Sequence, residues 1–237
     1  MGLYRRVVLK ITGGAFEKET VGFSYLDRLV HEIANAKQMV QLAIVLGGGN
    51  FARGGKINRQ EQTAEQSIGD CYGMVGTTLN ALLLHNGLKV GNVRSRIMGA
   101  WSFGSVIPIY SASDAITFLE HEQVVILAGG LGRGGISTDT AAVVRALELR
   151  ADIVLKGTKV DGIYTANPKL DSKAKLIPRL THQRFEKEQF VQILDPSAVQ
   201  QAGARKLPIH VFNIFHPGAL RDVLTGQLVG SLITSAV

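Results

Sequence analysis

Apolar residues are distributed along the chain in two alternating ways, as short runs and as longer stretches spaced three or four apart. The runs at 6–11, 42–46, 123–127, 151–156, 209–212 and 232–234 are predicted as strands, most of them apolar at successive positions as a sheet covered on both faces requires. Between residues 25 and 39, Leu26, Leu29, Val30, Ile33, Ala34 and Ala36 fall at nearly helical intervals. Further helices are predicted at 68–85, 113–120, 141–149, 182–188, 196–204 and 218–225, with a polar segment at 54–67 leading into the longest. Residues 89–98 and 106–109 are additional apolar stretches. Strand, helix, strand with glycines after both strands begins a parallel sheet, whose ligands bind beyond the carboxyl ends of the strands. The alternation continues without a repeat or a low-complexity tract, which favours one α/β unit, with two lobes as its internal division.

The breaks in this pattern hold the candidate chemistry. Lys10 lies inside the first strand, where a cation is costly unless it meets an anion. The second strand stops at Gly47-Gly48-Gly49, which reads either as a tight turn or as an anion-binding turn over which Arg53 could close. Asp70, near the start of the long helix, is either a capping or dipole partner worth ~0.3–1 kcal/mol or an acceptor for ribose hydroxyls. Five glycines fall between Gly129 and Gly135, a loop that is mobile or wrapped around a ligand. Thr138 or Asp139 is the predicted N-cap of the helix that follows, whose start could also hold a phosphate. Asp161-Gly162 reads as a turn, and Tyr164 as either a packing residue or a ligand contact.

Composition narrows the function classes. With 46% hydrophobic and 19% charged residues the 237-residue chain is globular, and no apolar run reaches the roughly 20 residues that span a bilayer. The apolar start at Val7 is too short for a signal peptide, so the expectation is a soluble cytoplasmic protein without a membrane partner. Cys71 is the single cysteine, which excludes an intrachain disulfide and a cysteine-rich metal site. The net charge of +7 suits nucleic acid and phosphorylated small molecules alike. The basic clusters at Arg53, Lys56 and Arg59 and at Lys169, Lys173, Lys175 and Arg179 are not interleaved with aromatics, which disfavours nucleic acid.

The motifs Lys10-Ile11-Thr12-Gly13, Gly47-Gly48-Gly49-Asn50 with Arg53, Gly69-Asp70 before Gly73-Met74, Thr138-Asp139-Thr140, and Lys159-Val160-Asp161-Gly162-Ile163-Tyr164 occur in this order. Together with Leu207 to Asn213 and Pro217-Gly218-Ala219-Leu220, they make the chain resemble the bacterial uridylate (UMP) kinases of the amino acid kinase superfamily. The resemblance covers essentially the whole length. It implies a three-layer α/β/α sandwich around a mostly parallel sheet, with an N-terminal acceptor lobe and a C-terminal ATP lobe. It also implies transfer of a phosphoryl group from ATP to UMP, with magnesium carried mainly on the nucleotide phosphates, by a homohexamer that responds to effectors such as GTP and UTP. By motif position Lys10, Thr12, Gly13, Gly49, Arg53, Thr158, Tyr164 and Asn167 would contact ATP. Gly48, Asp70 and the loop Leu131, Gly132, Arg133, Gly134, Gly135, Ile136, Ser137 and Thr138 would contact UMP. Lys10 would stabilise the transferring group and Asp139 would orient that lysine.

This agrees with the chemistry of the residues, because phosphoryl transfer needs anions aligned and neutralised rather than a covalent nucleophile. The Gly-x-x-x-x-Gly-Lys-Ser/Thr signature of P-loop kinases is absent. The chain departs from the resemblance at residues 131–137, which lack an aromatic pair and a threonine. It departs again at Asn167 in place of an aspartate, at Gln192 in place of a lysine, and at Gly14 in place of a glutamate. The alternatives are another small-molecule kinase of the superfamily and a non-catalytic nucleotide-binding relative.

Overall fold

A computed structural model describes residues 3–16, 23–51, 66–168, 170–188, 190 and 193–236. Eight strands form one sheet: β1 (Arg6–Ile11), β2 (Gln41–Leu46), β3 (Ser95–Gly99), β4 (Val124–Ala128), β5 (Ile153–Thr158), β6 (Arg179–Thr181), β7 (Ile209–Asn213) and β8 (Ser231–Thr234). Their order is β3-β4-β2-β1-β5-β7-β8-β6, and every neighbouring pair is parallel except β7 with β8. The helices of the described residues are α1 (Phe23–Lys37), α2 (Gln66–Val90), α3 (Ala112–Glu120), α4 (Thr138–Glu148), α5 (His182–Lys187), α6 (Pro196–Ala204) and α7 (Ala219–Leu224), with a 3-10 turn at Gly13–Phe16.

Alternate residues of each strand point to opposite faces, and both faces are covered. Val7, Leu9, Ile11, Leu42, Ile44 and Leu46 pack with Leu29 and Ile33 of α1, Leu84 and Leu88 of α2, and Leu220 and Val223 of α7. Val8, Ala43, Val45, Val125 and Leu127 face the other layer, where small residues of α4 (Ala141, Ala142, Ala146) and α6 (Ala198, Ala202) let the helices lie close to the sheet. The chain therefore forms the expected three-layer α/β/α sandwich, and burial on both faces is why the central strands lack polar alternation.

One topological feature positions the site. After β2 the chain passes to the face covered by α2, whereas after β4, its neighbour in the sheet, it passes to the face covered by α4. Connections that part over adjacent strands leave a crevice at their carboxyl ends.

Several boundaries differ from the sequence-based expectation. The long helix begins at Gln66 and continues to Val90, so 89–98 is divided between its last turn and β3. Residues 106–109 form only isolated bridges, Phe103 with Ile107 and Gly99 with Ile109. Ser137, rather than Thr138 or Asp139, is the N-cap of α4: its Oγ accepts the N–H of Thr140, while Thr138 and Asp139 are already helical. β6, only three residues long, had no pattern long enough to be recognised.

Candidate active site

The crevice is floored by charges that strand register brings together. Lys10 on β1 and Lys156 on β5 are paired residues in a parallel ladder, so their side chains leave the same face of the sheet side by side. The start of α4 places Asp139 against both. Its Oδ1 lies 3.0 Å from Lys10 Nζ, and its Oδ2 accepts from Lys156 Nζ. The Lys10 contact is an ion pair without the alignment of a hydrogen bond. Lys156 Nζ also donates to the carbonyl of Ile193, and the N–H of Asp195 reaches Asp139 Oδ2 at 3.3 Å. Asp195 in turn caps α6 through the N–H of Ser197 at 3.0 Å and accepts from Thr140 Oγ1 at 3.3 Å.

The electrostatics of the three groups are unequal. Burial alone would raise the Asp139 carboxyl, but the two neighbouring ammoniums overcome it and hold the group at about 2. Burial, then repulsion from Lys10, pushes the Lys156 ammonium down to about 8 against the attraction of Asp139. Two cations share one contacting carboxylate, and Asp195 adds only a weaker, more distant attraction on Lys156, so one positive charge lacks a contacting counter-ion at the base of the cleft. A polyanion entering from above would compensate it.

Above this floor a cleft of about 400 Å³ is bordered by Lys10, Thr12, Gly13, Gly48 and Gly49 on one side. Asp70, Met74 and Thr77 of α2 form a second wall, and Leu131, Arg133, Gly135, Ile136, Ser137 and Thr138 a third. The glycines after β2 are not there for unusual dihedrals, since none of Gly47, Gly48 and Gly49 has a positive φ. Gly47 and Gly48 are required by close packing of backbone. A Cβ on Gly48 would stand 2.2 Å from the Gly73 carbonyl oxygen, and one on Gly13 would stand 2.5 Å from the Gly49 nitrogen. Fully buried Asn80 fixes the turn, donating to the Gly47 carbonyl at 2.7 Å and exchanging hydrogen bonds with the Asn50 amide at 2.8 and 3.1 Å.

The glycine loop after β4 is built differently. Gly129, Gly130, Gly132 and Gly135 all have positive φ, which L side chains adopt only with strain. Gly132 packs towards Ala100 and Trp101, and a Cβ on Gly134 would lie 2.7 Å from Asp70 Oδ2. Two contacts fasten the loop to α2: the Gly129 N–H donates to Thr77 Oγ1 at 2.8 Å, and the Gly135 N–H donates to Asp70 Oδ2 at 2.6 Å. Asp70 is therefore not a capping residue. It stands in the second turn of a helix that begins at Gln66, and it holds the opposite wall of the cleft.

Thr158, Tyr164 and Asn167 do not border this cleft; they follow the carboxyl end of β5. The Thr158 carbonyl accepts from Ile214 at 3.1 Å, and Tyr164 donates its hydroxyl to Asp161 Oδ2 at 3.2 Å. The Asn167 carbonyl accepts the N–H groups of Leu170 and Asp171 at 3.0 and 2.9 Å. Arg53 lies outside the described residues, as do Lys56, Arg59, Lys169 and Gln192. Sequence reasoning overlooked Lys156, although a lysine within an apolar strand was the signal that singled out Lys10. It also overlooked Asn80, an amide among the leucines of α2.

Residues 5–213 match the model of the amino acid kinase family. The chain is 40% identical to the uridylate kinases of Escherichia coli strain K12 and Shigella flexneri, over 98% of its length and 97% of theirs. Among solved structures it resembles the UMP kinase of Bacillus anthracis, with a TM-score of 0.93, 31% identity, and 99% of this chain and 97% of that one covered. It also resembles the UMP kinase of Ureaplasma parvum, with a TM-score of 0.89, 28% identity, and 97% and 98% covered.

Proposed function

The chain belongs to the amino acid kinase family, and we propose that it is a UMP kinase, transferring the γ-phosphoryl group of ATP to UMP to give ADP and UDP. The observation that carries this reading is the buried Lys10–Asp139–Lys156 cluster beneath a glycine-lined cleft, supported by likeness over the full length to uridylate kinases. A phosphate oxygen of UMP attacks the γ-phosphorus in line while the bridging oxygen of ADP leaves. No covalent intermediate with the protein is needed, and catalysis consists of alignment and charge neutralisation. Lys10 follows the charge on the transferring group. Asp139 fixes the Lys10 ammonium and Lys156 backs the pair, so the cation is already oriented when the substrates meet.

In this reading Gly48, Asp70 and residues 131–138 receive UMP, with Asp70 facing the ribose, whereas Thr12, Gly13, Gly49 and the segment from Thr158 through Tyr164 to Asn167 receive ATP. Among the described residues no group of three or more His, Cys, Asp or Glu is placed to hold a metal, and Asp139 is already engaged by two lysines. Magnesium would arrive with ATP as the substrate Mg·ATP and would neutralise phosphate charge during transfer.

The same reading extends to assembly and regulation in the cytoplasm. Ile68, Tyr72, Val75, Leu79 and Leu83 form an exposed apolar stripe along α2 that suits contact with another copy of the chain, in keeping with a homohexamer. A basic groove of about 470 Å³ bordered by Lys89, Arg94 and Arg96 offers a place for anionic effectors such as GTP or UTP. No helix of the described residues is long and apolar enough to cross a membrane.

The decisive assay measures ADP release with UMP, CMP, AMP and acetylglutamate as acceptors. UMP is expected to react at least about a hundredfold faster than the others, the discrimination that a pocket pairing polar edges provides. Equal rates with CMP would contradict UMP specificity, and preference for acetylglutamate would favour another small-molecule kinase of the family.

A further inference from the structure

We infer that Lys159 is a ligand of the donor's phosphate chain, and that Gly14 is bare in order to admit it. This rests on the placement of ATP proposed above. β1 and β5 run in parallel with Ile11 opposite Gly157, so the segments leaving their carboxyl ends start side by side. The Lys159 side chain crosses from one to the other. A Cβ on Gly14 would lie 2.2 Å from Lys159 Cε and 2.6 Å from Nζ, so the end of the lysine occupies the space that any side chain at position 14 would take.

Gly14 is buried in the turn after Thr12 and Gly13, both of which border the cleft, whereas Lys159 is exposed. Its ammonium is thus carried to the backbone turn that, in the reading above, receives the donor. Lys10 and Lys156 are buried and shared by Asp139, so their positions are fixed. Lys159, exposed and resting on Gly14, stands where a polyphosphate beside that turn would meet it. An ammonium acts there as a point charge rather than as a geometric fork.

Three variants test this by calorimetric titration with ADP and by competition with adenosine, which lacks phosphates. Lys159→Ala is expected to weaken ADP binding roughly tenfold and to leave adenosine unchanged, as loss of one charge-assisted contact predicts. Lys159→Arg should recover most of the loss. Gly14→Ala, whose added Cβ meets only the end of a flexible side chain, should fold normally, displace the ammonium and weaken ADP by a smaller factor. The inference is overturned if Lys159→Ala binds ADP as tightly as the unmodified protein, or if adenosine weakens in parallel. Failure of the unmodified protein to bind ADP would refute the placement of ATP itself, and this inference with it.

Discussion

Two glycine-rich turns face each other across the cleft, and they use glycine for opposite reasons. None of Gly47 to Gly49, after β2, has a positive φ, and Gly47 and Gly48 lack side chains because backbone from Gly13 and Gly73 occupies the space where a Cβ would go. Gly129 to Gly135, after β4, have positive φ at four positions, and at Gly130 and Gly135 the space around a Cβ is open. The first turn is a spacer within packed structure, held by buried Asn80. The second is a shaped wall, fastened to α2 at Thr77 and Asp70. A close-packed turn keeps Lys10, Thr12 and Gly49 in fixed relation. A loop bound at its two ends can change its side chains without disturbing the floor.

This contrast orders the effects of substitution. Gly48→Ala should have the largest effect: its Cβ would meet the Gly73 carbonyl, rigid helix backbone, at a cost of about 3 kcal/mol or more. Thermal unfolding would show a large fall in Tm, and an unchanged Tm would mean that the two segments are not packed as described. The floor should next reveal itself through pH. Lys156 carries its charge below about 8 and loses it above, which removes the excess positive charge of the cluster. The kcat/KM of the free enzyme should then fall as pH rises through that value, approaching about tenfold per unit. Lys156→Met should abolish this alkaline limb, and persistence of the limb in the variant would assign it to another group. Gly135→Ala should have the smallest effect. Its φ of +74° costs an L residue about 1 kcal/mol, but nothing crowds the new methyl and the N–H to Asp70 is kept. A drop in Tm as large as that of Gly48→Ala would erase the distinction between the two turns.

The sheet was legible because burial on both faces leaves unbroken apolar runs, and β1, β2, β4, β5, β7 and β8 were all expected within a residue or two. β6 was not, since Arg179-Leu180-Thr181 is too short to establish a period. The cap of α4 was misplaced by one or two residues because Ser137, Thr138 and Asp139 are all competent caps, and only backbone direction distinguishes them. Lys10 could be identified from sequence as a charge in a buried strand. That Lys156 is its partner depends on strand order: β5 lies beside β1 although β2, β3 and β4 come between them in the chain. The role of Asp70 was open in the sequence, and the contact with Gly135 links residues 65 positions apart that no local pattern relates.

The central claim is that the positive charge held at the floor of the cleft performs the transfer. Lys10→Ala tests it most directly, because Asp139 keeps Lys156 as a partner and the fold should survive. With ATP and UMP as substrates, the rate of UDP formation should fall at least about a thousandfold while the circular dichroism spectrum and Tm stay near those of the unmodified protein. A folded Lys10→Ala protein that turns over UMP within a few fold of the original rate would contradict the account.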